Sequence, residues 1–248
     1  MGKRAMISIG RQPGIVTLGL DAPPRNALSE SMVEELTRAL AEAAADAETR
    51  VIVLHGRGDV FCSGAPRDLL DRLAGGELRP ADILLPKVLF DCPVPVIAAM
   101  DGHATGGGFA LGLASDIIIM ALEARYGFTF MNLGFSPGMG VTRLCEHVLS
   151  PAVAHELLYT GELRRGAEFE RCGGINYVLP KAEVLPKALD VAARIAGKPR
   201  PSVELLKRTL SLPRRRAFEE TITLESLMHQ ITLSAPGARQ RIDDDYVE

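Results

Sequence analysis

Apolar and polar residues alternate twice near the start of the chain, in "MISIG" and "IVTLGL", on either side of "RQPG". A period of two around a Pro-Gly turn predicts a β-hairpin. The pattern then becomes helical. "LSESMVEELTRALAEAAADAETR" sets Met32, Leu36 and Leu40 four residues apart, with serines ahead of Glu34 and Glu35. That is the signature of a capped amphipathic helix. Three continuous apolar runs of strand length follow, "VIVLHG", "PVIAAMDG" and "DIIIMA", each next to a helical segment. Buried strands alternating with helices predict an α/β fold whose largely parallel sheet is covered on its faces.

From about Pro137 the character changes. "GMGVTRLCEHVL", "PAVAHELLYTG", "EVLPKALDVAARIAG", "SVELLKRTLSL" and the segment from Arg216 to Leu233 all read as helices, so the last third is expected to be helical and without strands. No repeat or low-complexity linker cuts the chain. The expected division is a core over 1–195 holding the active site and a helical region over 196–248, packed together. The polar tail "GARQRIDDDYVE" is expected to fray.

Composition narrows the function classes only slightly. The chain has 248 residues, 47% hydrophobic and 24% charged, in keeping with one sizeable globular domain. A formal net charge of −3 argues against general nucleic-acid binding. The first residues lack the apolar core of a signal peptide and no run approaches a membrane span, so a cytoplasmic protein without membrane contact is expected. Cys62, Cys92, Cys145 and Cys172 are scattered among apolar residues, with no CxxC pair and no histidine at metal-ligand spacing. They read as buried reduced thiols rather than as metal ligands, and Cys62 beside its glycine turn is the best of them for a nucleophile.

Two stretches stand out as sources of backbone donors. In "VFCSGAPRDLL" a strand ends at Ser63-Gly64-Ala65 and a helix starts at Pro66; in "HATGGGFALG" three glycines, Gly106 to Gly108, lead into another helix. Free N–H groups at two converging helix starts would form an oxyanion hole. The same glycines also fit a second purpose, tight packing of helix on strand. There is no GxGxxG after the first strand and no Walker lysine, and no cofactor or metal is implied.

The segments "NALSESMVEEL", "FCSGAPRDLL", "PVIAAMDGHATGGGFALGLASDIIIM", "GFSPGMGVTRL" and "LLYTGELRRGAEF" resemble, in order and spacing, the enoyl-CoA hydratase/isomerase (crotonase) superfamily, from the hairpin to about Leu233. The resemblance implies a spiral of ββα units, a helical C-terminal trimerisation region, and an oxyanion hole at the N–H groups of Ala65 and Gly107. Hydratases of that family carry two glutamates that activate water and protonate carbon. Here those positions match Ala110 and Phe130, neither of which can move a proton. What remains is a reaction that makes an enolate without removing a proton, and decarboxylation is such a reaction.

"IAAMDGHATGGGFALGL", "FTFMNLGFSPGMG" and "ESLMHQITL" are most similar to the decarboxylase subgroup of polyketide β-branching cassettes. That likeness implies loss of CO₂ from a 3-methylglutaconyl group, held as a thioester on an acyl carrier protein, to give a 3-methylcrotonyl-type product. It places the catalytic pair at His229 and Arg79, with Lys87 and Arg72 as fallback cations for the loosely matched loop. The guanidinium would orient the carboxylate and His229 would protonate the carbanion. Phe109, Ala110, Phe128 and Phe130 are expected as apolar walls. Lys207, Arg208, Arg214, Arg215 and Arg216 supply a basic patch for docking an acidic carrier, the last three above all. Asp116 is expected to brace the cradle helix. The alternatives are another crotonase-type lyase or isomerase acting on acyl-CoA, and a family member that binds a thioester without catalysis. A homotrimer, or a hexamer of stacked trimers, is expected.

Overall fold

The computed structural model describes residues 5–78, 85–235 and 237–246. The hairpin is present: β1 (Ile7–Gln12) pairs antiparallel with β2 (Ile15–Leu20). Helix α1 (Glu30–Ala45) begins behind Ser29, whose hydroxyl accepts the N–H of Met32. It buries Met32, Leu36 and Leu40, the stripe read from the sequence.

The chain then winds through three similar turns. β3 (Val51–His55), β5 (Val96–Met100) and β7 (Ile117–Ala121) enter one sheet, while the short strands that follow them, β4 (Val60–Cys62), β6 (His103–Thr105) and β8 (Arg125–Gly127), enter another. Each long strand is therefore followed by a step sideways into the second layer. The first two turns return through helices, α2 (Arg67–Ala74) and α3 (Leu85–Asp91) after β4, and α4 (Gly107–Leu113) after β6. This is the spiral of ββα units expected from the resemblance. The large sheet runs β1-β2-β3-β5-β7-β10 and is parallel from β2 onward. Val51 to Leu54 and all of Val96–Met100 are fully buried, which is why these strands read as unbroken apolar runs.

The last third departs from the all-helical expectation in two places. β9 (Leu163–Arg165) closes the small sheet against β8, and β10 (Tyr177–Leu179) closes the large one against β7. Both are three-residue edge strands, too short to show a period. Helices α5 (Val141–Val148), α6 (Pro151–Thr160) and α7 (Lys181–Ala196) lie as read. The two helices expected on either side of Pro213 form one, α8 (Arg200–Leu233), of 34 residues. The tail does not simply trail off either: α9 (Ala238–Asp245) packs against α2.

One buried ionic cluster ties α8 to the spiral. Asp116, just before β7, accepts the N–H of Val96 at 2.8 Å, the Lys207 ammonium at 2.5 Å and the Arg214 guanidinium. Lys207 also donates to the Leu89 carbonyl, and Arg214 to those of Ala114 and Ser115. Asp116 thus braces the end of α4, as expected. Burial is what pushes the Lys207 ammonium below its usual range, and the Asp116 carboxylate is the main effect that opposes it. Asp116→Ala strands the buried Lys207 ammonium and the half-buried Arg214 guanidinium and is expected to cost about 3–5 kcal/mol, whereas Lys207→Met leaves the carboxylate on Arg214 and costs less. Urea unfolding at fixed protein concentration checks the order of the two.

Candidate active site

Two loops, each leaving a short strand of the second sheet, meet at the base of the site. After β4 the chain passes through Ser63-Gly64-Ala65 to Pro66, the N-cap of α2. After β6 it turns at Gly106, the N-cap of α4. The first loop is pinned by its carbonyls: Ser63 accepts the Thr105 hydroxyl at 2.9 Å, Gly64 the N–H of Leu28 at 2.8 Å, and Ala65 the Tyr246 hydroxyl at 2.9 Å. A trans peptide holds C=O and N–H on opposite sides. With the Gly64 carbonyl committed to Leu28, the Ala65 N–H points the other way. By the same argument, the Gly106 carbonyl accepts Ala110 N–H inside α4, so the Gly107 N–H points out of the helix start. Neither amide donates to a protein group among the described residues.

The loops approach so closely that two glycines are required. A Cβ on Gly108 would stand 2.1 Å from the Cys62 carbonyl oxygen. At Gly64, φ is +81°, and a Cβ there would stand 2.8 Å from the Thr105 carbonyl and 3.1 Å from the Gly107 nitrogen. Tight packing and a donor pair, left as alternatives by the sequence, are thus both features of one junction.

Above the amides lies a cavity of about 80 Å³. Ala65 and Gly107 line it together with Leu28, Leu70, Phe130, Leu133, Phe135, Met139 and His229. Among the described residues no Asp, Glu, Lys or Arg lines it. Phe130 occupies the wall at the position where hydratases would place an acid. A larger groove of about 690 Å³, with Arg25, Pro66 and Arg67 on its rim, shares Ser63, Thr129, Leu133 and Tyr246 with the cavity.

His229 reaches the cavity from α8. Its Nδ1 lies 2.7 Å from the Ser136 carbonyl, which can only accept, so Nδ1 carries the proton and Nε2 the lone pair in the neutral ring. The rings of Phe135 and Phe130 stand edge-on to it, with centroids 5.0 and 6.4 Å away. Burial lowers its pKa below the usual histidine range, against smaller raising effects of the Ser136 and Pro137 carbonyls. The resting imidazole is therefore neutral at pH 7.

Several residues expected at the site lie elsewhere. Phe109 does not line the cavity; two positions beyond Gly107 a helix has turned by about 200°, so its ring joins Phe128, Tyr126 and Phe169 in the core. Ala110 is also fully buried and away from the cavity, because a methyl is too short to reach it. Arg79 lies outside the described residues. Of its substitutes, Lys87 pairs with Asp91 and Arg72 with Glu30 at the surface, and neither lines the cavity. Cys62 is no nucleophile: burial pushes its thiol to about 12. The basic patch is partly consumed internally, since Lys207 and Arg214 serve Asp116 and Arg215 bonds Asp91 and the Phe90 carbonyl. Arg208 and Arg216 remain exposed.

Tyr246 and Glu225 were not singled out from the sequence. Tyr246 sits in a tail that reads as polar, and only the docking of α9 on α2 brings its hydroxyl to the Ala65 carbonyl. Glu225 stands four residues before His229 in "ESLMH", a helical spacing that puts both on one face.

The model of the family described as "Enoyl-CoA hydratase/isomerase" matches residues 10–248. The chain belongs to this family. Within it, the bacillaene synthase decarboxylase PksI of Bacillus subtilis (strain 168) is 36% identical over 226 residues, 91% of each chain. A probable enoyl-CoA hydratase from the same organism is 33% identical over 241 residues. Family membership alone therefore does not separate hydration from decarboxylation. Among solved structures, a chain from a dehydratase/decarboxylase enzyme couple involved in polyketide β-branching superposes with a TM-score of 0.93 at 33% identity, covering 98% of this chain and 100% of that one. The ECH2 decarboxylase domain of CurF from Lyngbya majuscula does so with a TM-score of 0.91 at 34% identity and the same coverage.

Proposed function

We propose that the protein is a lyase that releases CO₂ from a 3-methylglutaconyl group carried as a thioester on an acyl carrier protein, leaving a 3-methylcrotonyl-type thioester. The observation that carries this reading is the pairing of two outward-facing amides with a cavity free of carboxylates among the described residues. A hydratase needs a positioned acid and base there; enolate formation by loss of CO₂ needs only the amides and a proton donor. The similarity to PksI and to the CurF domain supports the same choice.

The chemistry follows from the geometry. The bond between the γ-carbon and the carboxyl carbon breaks, and its electron pair delocalises through the neighbouring double bond onto the thioester oxygen. The N–H groups of Ala65 and Gly107 meet that oxygen as its charge grows. One donor of this kind is typically worth about 3–4 kcal/mol in the transition state. The apolar walls keep water from the carbanion until a proton arrives. The pantetheine arm would enter by the groove that shares Ser63 and Thr129 with the cavity.

The proton assigned to His229 needs one step that the sequence did not show. Its neutral ring offers a lone pair at Nε2, which repels a carboxylate. An anionic substrate therefore favours the imidazolium, drawing a proton from solvent on binding, and that proton then passes to carbon as CO₂ leaves. The pH dependence follows. Log kcat/KM is expected to fall as pH rises through the free-enzyme histidine pKa, which lies below 6.5, because fewer free sites then hold the proton. A profile flat from pH 5 to 8 would remove the acid role from His229.

Incubation with 3-methylglutaconyl-carrier protein, followed by intact mass, tests the function directly. Loss of the mass of CO₂ supports decarboxylation, gain of water means hydration, and no change beside an active control leaves a thioester-binding protein. Arg79 remains our choice for the cation that orients the substrate carboxylate, and Arg216 with Arg208 for carrier docking.

Assembly into a trimer is supported by α8, which leaves Leu205, Leu206, Leu210, Leu224, Leu227 and Ile231 exposed. Leu227→Glu is expected to lower the solution mass from three copies of 26.7 kDa to one, read by light scattering. No helix among the described residues is long and apolar enough to cross a membrane.

A further inference from the structure

The steps above leave unused a carboxylate that is wholly buried. Glu225 has no exposed surface, and each of its hydrogen-bond partners is a donor. The Gly140 N–H reaches Oε2 at 2.5 Å; the Thr142 N–H and hydroxyl reach Oε1 at 2.7 and 2.5 Å. Because the Thr142 hydroxyl spends its proton on Glu225, it accepts from Thr221, 2.9 Å away. Burial pushes the Glu225 carboxyl above its ordinary range, and these donors pull it back toward the ionised form that they fit; they also cap α5, whose N-cap Gly140 has no side chain to do so.

The segment it holds is a wall of the cavity. Between Ser136 and Thr142 lies Met139, at φ +64°, in the left-handed region. Its sulfur is so near Gly107 that a Cβ there would be 2.9 Å away. The other end of the same turn is held from the same helix. His229, one turn beyond Glu225, bonds the Ser136 carbonyl, and the Thr232 hydroxyl accepts the Ser136 N–H at 2.9 Å. One face of α8 therefore grips both ends of a single turn.

We infer that Glu225 is a positioning residue: by anchoring Gly140 and Thr142 it sets the Ser136–Thr142 turn, so that Met139 seals against Gly107 and the Ser136 carbonyl holds the His229 ring. It touches no substrate atom. The activity readout rests on the decarboxylase reading; the structural readout does not.

Glu225→Gln keeps the shape but sets an NH₂ group against one of the donors, which releases the turn. The expected result is a His229 titration, followed by NMR of the ring C–H signals, that moves up toward the solvated value, because burial is the largest cause of its depression. The groups packed on His229 are the rings of Phe130 and Phe135 and the Ser136–Gly138 backbone; Glu225 lies one turn away on its own helix. Burial dominates that depression and the Glu225 charge is not among its causes, so an upward move reports hydration of the ring. With it, kcat falls on the order of 10-fold while KM stays within about threefold, since the amides that grip the thioester lie on other elements. Thr142→Val keeps both backbone bonds and removes one leg of the clamp; a smaller upward move is expected, and this variant decides the matter if Glu225→Gln does not fold. An unchanged His229 midpoint in the folded variants overturns the assignment. If wild-type protein releases no CO₂, the proposed function falls, and the titration still decides the role of Glu225.

Discussion

Gly64→Ala is expected to reduce kcat for decarboxylation by about 100- to 1,000-fold with the fold retained, the loss typical of removing one oxyanion donor. The substituted residue carries no chemistry, and the effect comes from space alone. At φ +81° an L side chain is strained, and the new methyl would sit 2.8 Å from the Thr105 carbonyl and 3.1 Å from the Gly107 nitrogen. To relieve those contacts the Gly64–Ala65 peptide must rotate or the two loops must part. Either movement takes the Ala65 N–H off the line set by the Leu28 hydrogen bond. Steady-state kinetics beside circular dichroism checks this. A folded Gly64→Ala protein with wild-type kcat would mean that the paired amides do not stabilise the transition state.

The second large effect is expected at His229. His229→Gln keeps a polar side chain of moderate length and removes the group that titrates, and kcat is expected to fall by about 100- to 10,000-fold, the span of general acid catalysis. The residual rate should also lose the fall with rising pH proposed for the wild type. A glutamine amide can still donate to the Ser136 carbonyl, so the turn stays anchored and the chemistry alone is probed. His229→Ala, by contrast, empties a space between Phe130 and Phe135 and confounds catalysis with packing. Rates in the Gln variant within a few-fold of wild type would move the proton donor to solvent.

Legibility in the sequence followed burial. β3, β5 and β7 are apolar on both faces, and the runs that encode them could be read directly. β9 and β10 could not, because "LRR" and "YVL" become strands only when β8 and β7 offer an edge. "SVELLKRTLSL" and the segment from Arg216 to Leu233 read as two helices, yet packing against α5 and α3 carries α8 unbroken through Pro213 between them. At the site, the glycine loops were visible as two separate motifs; the carbonyl tether that aims the Ala65 amide comes from Leu28, 37 residues before it, and the loop's other anchor from Tyr246, 181 after it. No local pattern could reveal those partners. Phe109 was misplaced for a related reason: sequence adjacency to the cradle says nothing about which way a helix presents its next two residues.

α8 carries His229 on its inner face and Leu224, Leu227 and Ile231 on its outer one. One helix thus bears both the proposed proton donor and the proposed seam between subunits, so a variant that opens the seam is expected to disturb the setting of the imidazole as well as the assembly.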